Sequence, residues 1–100
     1  MHLISYDIEN DRLRLHLAKL LIRAGLYRVQ YSVFMGDIRE TVWKRLYADL
    51  HKIAVSSDWQ PTDSILILPL HQYTVDQREV IGQAVVDWDE MTGKLHTLML

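Results

Sequence analysis

The chain has no cysteine, only two prolines and four glycines, and no long apolar run. Without cysteine there is no disulfide, no thiolate zinc site and no thiol nucleophile. Gly25, Gly36, Gly82 and Gly93 stand far apart, which excludes a glycine-rich phosphate loop. No apolar stretch approaches the roughly 18 residues that a membrane-spanning helix needs. The N-terminal segment has no basic start and reaches a charge at Asp7, unlike a signal peptide. A cytoplasmic protein with no membrane partner is expected.

What remains is 100 residues, 49% hydrophobic and 24% charged with both signs present, the composition of one globular domain rather than a disordered tail. At this length a chain buries only roughly 60–70% of its unfolded surface, so a partner chain would reinforce a thin core. The net charge of −2 hides an asymmetry. Residues 1–55 carry about +3 and residues 56–100 about −5, histidine aside. For a polyanion the local patch matters more than the sum, so the basic first half permits phosphate binding.

Leu3 to Asp7 is a short apolar run ending in an acid, which predicts a first strand. Asp11 is a candidate N-cap. Leu13, Leu17, Leu20, Leu21 and Ala24 then repeat at helical spacing, and Gly25 stands where a C′ glycine ends a helix. Arg12, His16, Lys19 and Arg23 share the opposite face of that helix, with Arg14 at the margin of the apolar stripe. Residues 26–36 are aromatic and β-branched, which favours a hairpin turning near Gln30–Ser32 or one kinked strand. Asp37 with Glu40 resembles a capping box. The helix after it presents Val42, Trp43, Leu46, Tyr47, Leu50, Ile53 and Ala54 on one face. Pro61 lies in a loop, and Ile65–Leu68 is apolar at every position, as in a strand covered on both faces.

This β-α-β-β-α-β order predicts an α+β fold, the ferredoxin-like βαββαβ sandwich, with two helices on one face of an antiparallel sheet. Two helices cover only one face, so a homodimer with the other sheet face at the interface is expected. The domain is expected to span residues 1–83, with Glu79–Gly82 a candidate further strand, in this chain or on the partner's sheet. Residues 84–100 form a C-terminal extension, a candidate hairpin of Ala84–Trp88 and Lys94–Leu100.

Few residues offer chemistry on their own. Asp7, Glu9 and Asp11 alternate across a strand-to-helix turn, but an EF-hand loop starting at Asp7 would need Gly and Glu where Arg12 and Ala18 stand. A strand-end Asp is commonly a turn residue, and Asp beside Arg14 commonly a salt bridge. The histidines at 2, 16, 51, 71 and 96 never take the i, i+4 spacing of a helical zinc pair. Tyr27, Tyr31 and Phe34 superficially suggest a stacking platform for single-stranded bases, although Phe34 and one tyrosine are expected in the core. Residues alone predict a small α+β dimer with a capacity for phosphate, or a regulatory module for a small ligand.

Tyr6-Asp7-Ile8, Arg14, and the run Gly25-Leu26-Tyr27-Arg28-Val29-Gln30-Tyr31-Ser32-Val33-Phe34-Met35-Gly36 closely resemble CRISPR-associated protein two, the small ferredoxin-like subunit of CRISPR spacer acquisition. The match covers residues 1 to about 55 strongly and Asp63–Leu70 and Val80–Gly82 loosely. The resemblance implies a homodimer whose two Asp7 side chains face each other and bind magnesium (Mg2+). It implies a metal-dependent endonuclease acting on single-stranded RNA or double-stranded DNA through backbone phosphates. Its alternative is a non-catalytic dimer that bridges CRISPR integrase subunits and binds duplex DNA. Carried over by position, Asp7 is the metal and catalytic residue, Tyr6 its neighbour, Arg14 and Arg28 the basic helpers, and Phe34 a support. The chain departs from the family at His16, where a second basic residue is common, and in its long acidic tail.

Overall fold

A computed structural model describes residues 1–83, 86 and 88–92. The chain runs β1 (His2–Asp7), α1 (Asp11–Ala24), β2 (Tyr27–Gln30), β3 (Val33–Gly36), α2 (Glu40–Ala54), β4 (Ser64–Pro69), α3 (Gln72–Asp76) and α4 (Trp88–Thr92). The four strands form one sheet in the order β2-β3-β1-β4, and every neighbouring pair is antiparallel. This is the expected ferredoxin-like arrangement, with the first strand inside and α1 and α2 packed on one face.

Alternation in the strands separates two apolar sets. Ile4 and Tyr6 of β1 and Phe34 of β3 pack with Leu13, Leu17 and Leu21 of α1 and Leu46, Leu50 and Ile53 of α2. Ile65 and Ile67 of β4 join this core from its rim. On the other face Met35, with Leu3 and Val29 beside it, packs against Val75 of α3 and against Trp88 and Met91 of α4. Leu66 and Leu68, which alternate with the core-facing isoleucines, are 52% and 42% exposed. Double coverage of β4 is therefore not achieved within one chain, whereas the C-terminal helices do cover part of the same sheet face.

The local signals hold with instructive shifts. Asn10, rather than Asp11, caps α1, its side-chain oxygen accepting from the Leu13 N–H at 2.9 Å. Asp11 is instead the first helical residue, where an acid suits the helix dipole. Gly25 ends α1 with φ +104°. The capping box at Asp37 and Glu40 does not form: Arg39 occupies the N-cap without a side-chain bond, and Asp37 lies 3.8 Å from the N-terminal amine. Residues 27–36 form the hairpin, with Tyr31 and Ser32 as its turn. Phe34 is fully buried, but both Tyr27 and Tyr31 are exposed, so neither tyrosine joins the core.

Glu79–Gly82 forms no strand within its own chain; it runs exposed after α3, with the Ile81 side chain in solvent. Trp88 begins a helix where the C-terminal hairpin was expected to have its first strand, and the rest of that hairpin (Ala84, Val85, Asp87 and 93–100) lies outside the described residues. Among the described residues no helix is long and apolar enough to cross a membrane.

Candidate nucleic-acid site

Asp7 closes β1, an inner strand, opposite Ser64 of β4. Because Tyr6 turns inward, the pleat sends Asp7 to the other face, the one Leu3 and Ser5 share. Its carboxylate is exposed and has no hydrogen-bond or ion-pair partner among the described residues. Two neighbouring acids, Asp63 and Asp11, are differently employed. Both Asp63 oxygens accept backbone N–H groups, from Glu9 at 3.0 Å and Gln60 at 2.8 Å, tying the exit of β1 to the loop before β4. Asp11 pairs with Arg14.

The other expected site residues gather on the helical side. Arg14 lies on α1, and its Nη1 donates to the carbonyls of Ile8 at 2.9 Å and Glu9 at 3.0 Å, while Nη2 meets Asp11. The guanidinium thus holds the β1–α1 turn in shape. Tyr6 is buried, stacks on Phe34 with ring centroids 6.1 Å apart, and donates its N–H to the Ser32 carbonyl at 3.1 Å. Arg28 of β2 lies over the Phe34 ring at 5.0 Å and the Tyr31 ring at 5.7 Å. Tyr6, Arg14 and Arg28 border one cavity of about 400 Å³ together with Asp11, Leu15, Ala18 and Tyr31. Asp7 is not among the residues lining it. The structure therefore brings together four of the five expected residues, Phe34 lying beneath Arg28, and sets the acid on the opposite face.

Among the described residues no three His, Cys, Asp or Glu side chains are grouped to hold a metal ion. Asp7 nevertheless suits magnesium chemically, since it is a hard oxygen donor not committed to another partner, and this ion commonly binds through one or two carboxylates while keeping several waters. Asp63 and Tyr31 were not singled out as site residues by the resemblance. The signal for Asp63 lay only in its place after Pro61 in a polar loop, and that for Tyr31 in its aromatic pattern with Tyr27 and Phe34.

Strand order, a free acid at the end of an inner strand and an arginine-lined cavity define a small ferredoxin-like α+β protein with two candidate phosphate-facing surfaces. The chain belongs to the CRISPR associated protein Cas2 family, whose model matches residues 1–78. It is 39% identical over 87 residues to CRISPR-associated endoribonuclease Cas2 1 of Archaeoglobus fulgidus, covering 87% of this chain and 88% of the relative. It is 36% identical to CRISPR-associated endoribonuclease Cas2 3 of a Synechocystis species, over 83% of this chain and 85% of that one. The crystal structure of Streptococcus pyogenes Cas2 superposes with a TM-score of 0.64 at 26% identity, covering 81% of this chain and 98% of the other.

Proposed function

We propose that the chain is an endonuclease of a CRISPR system that works as a magnesium-dependent homodimer. Its substrate is single-stranded RNA or double-stranded DNA, and its metal ligand is Asp7. The observation that carries this reading is the Asp7 carboxylate itself, exposed and unpartnered at the end of β1 on the sheet face away from α1 and α2. Relatives named endoribonucleases support the reaction class. Exposed Leu66 and Leu68 on the same face support the dimer, which supplies the second Asp7 that one chain lacks.

Bound magnesium supplies Lewis acidity at a phosphoryl oxygen and lowers the pKa of a coordinated water. Asp7 offers oxygen donors without having to give up a protein partner first. Arg14 fixes the turn that follows Asp7, which limits how far the strand end moves. Arg28, exposed and without a carboxylate partner among the described residues, is available to a phosphate.

The test is cleavage of purified RNA and duplex DNA by Asp7→Asn, with magnesium and with a chelator. A fall of roughly 10²-fold or more is expected, the scale of losing a group that acts chiefly in the transition state. Undiminished cleavage removes the assignment.

A second reading, a non-catalytic dimer bridging integrase subunits on duplex DNA, is favoured by the engagement of Arg14 with its own loop. That engagement leaves Asp7 and Arg28 as a sparse catalytic set in each chain. On this reading Asp7→Asn binds duplex DNA and supports spacer acquisition as well as the parent does.

A further inference from the structure

We infer that the cavity between Arg14, Leu15, Arg28 and Tyr31 is a nucleotide subsite, where an unpaired base stacks on Tyr31 while its phosphate meets Arg28. Single-stranded nucleic acid is then held in preference to duplex. The inference rests on the endonuclease reading for its setting and names the substrate class, but it is tested by binding alone.

Tyr31 is a large aromatic side chain left 75% exposed in the hairpin turn, with no place in either apolar cluster. Its neighbour Arg28 lies over two rings, its Cζ 5.7 Å from the Tyr31 centroid and 5.0 Å from that of Phe34, and Phe34 itself stacks on Tyr6. A cation held over rings keeps its N–H groups able to donate, and no carboxylate among the described residues takes those of Arg28. The charged side chains around the cavity are Arg14, Arg28 and Asp11, a net of +1, and Asp11 is already paired with Arg14. A volume of about 400 Å³ lies within the range of small-ligand sites and accommodates one nucleotide unit. An aromatic platform beside a cation accepts any base with a free face, and bases inside a duplex have none to offer.

The experiment is fluorescence anisotropy with labelled eight-nucleotide single strands of RNA and of DNA and with a 20-base-pair duplex. It is run in a chelator, so that cleavage plays no part, on the parent, Tyr31→Ala and Tyr31→Phe. Tyr31→Ala is expected to weaken binding of at least one single strand about 5- to 100-fold, the scale of one lost base–aromatic stack. Tyr31→Phe is expected to stay within about 2-fold, because the ring is kept, and duplex binding to remain unchanged in both variants. In cleavage of the single strand Tyr31→Ala raises KM by the same factor and leaves kcat unchanged, as loss of uniform binding requires. A parent with no preference for single strands, an unchanged affinity in Tyr31→Ala, or an equal loss with duplex overturns the inference. Undiminished cleavage by Asp7→Asn would overturn the assignment of Asp7 as metal ligand while leaving the Tyr31 binding result standing.

Discussion

At the scale of single residues, Arg14 and Arg28 are alike in the sequence and different in the fold. Arg14 donates to two carbonyls and a carboxylate within its own turn, whereas Arg28 lies on rings and bonds to no described acid. Arg14→Ala is therefore expected to lower stability by about 1–2 kcal/mol, since it leaves two carbonyls without their charged donor. Arg28→Ala is expected to lose only about 0.5–1 kcal/mol, the range of an exposed cation–π contact. Urea denaturation of the two variants separates them, and a larger loss for Arg28 would contradict the geometry. Burial lowers the His2 pKa below its ordinary 6.5, assisted by the N-terminal amine and opposed by Asp37. The unfolded chain then takes up a proton at His2 before the folded chain does. Stability is full above pH 6.5 and declines as the pH falls from 6.5 through the folded pKa, and this decline should vanish in His2→Gln. That Tyr6 faces in and Asp7 out followed from strand alternation, yet the resemblance grouped Asp7 with Arg14 by sequence alone. Position along a chain carries no information about which side of a sheet a side chain leaves.

At the scale of elements, the long periodic segments were legible because their apolar faces are their reason for folding. Leu13, Leu17 and Leu21 mark α1 and Leu46, Leu50 and Ile53 mark α2, and all six are buried. What escaped was short or decided by geometry. The single turn of α3 buries only Val75, too few residues for a period to show. Its successor Glu79–Gly82 is apolar enough for a strand but has no neighbour in the described chain to pair with. Glycine was readable at Gly25 and opaque at Gly36. At Gly25 the φ of +104° disfavours any Cβ, so Gly25→Ala should cost about 1–2 kcal/mol. At Gly36 a Cβ would stand 2.9 Å from Leu26 Cδ2 and 3.3 Å from Leu26 Cα, because the end of β3 passes close under the segment leaving α1. Leu26 Cδ2 can swing aside but its Cα cannot, so Gly36→Ala should cost about 1–3 kcal/mol by overpacking. Thermal unfolding of both variants checks the pair, and neither should change the strand order.

At the scale of the whole molecule, the sheet has one face finished by α1 and α2 and another finished only in part. Met35, Leu3 and Val29 lie under the C-terminal helices, while Leu66 and Leu68 of β4, an edge strand, remain exposed. An apolar edge of this kind is an association surface or an aggregation hazard. Because Asp7 opens on the same face, association there would also bring a second Asp7 carboxylate to the proposed magnesium site. Substituting Leu66→Glu and Leu68→Glu together places two charges on that face of β4. Ile65 and Ile67 point to the helical core, so the fold should survive, as circular dichroism would show. Sedimentation should then give a monomer where the parent gives a dimer. Magnesium-dependent cleavage should fall with the dimer, because each monomer retains one Asp7 and no partner for it. Single-strand binding in the cavity of Arg14, Arg28 and Tyr31, complete within one chain, should persist per chain. A parent that sediments as a soluble monomer, or a double variant that remains a dimer, would remove this face from the interface. In that case the magnesium site shared between two copies of Asp7 goes with it.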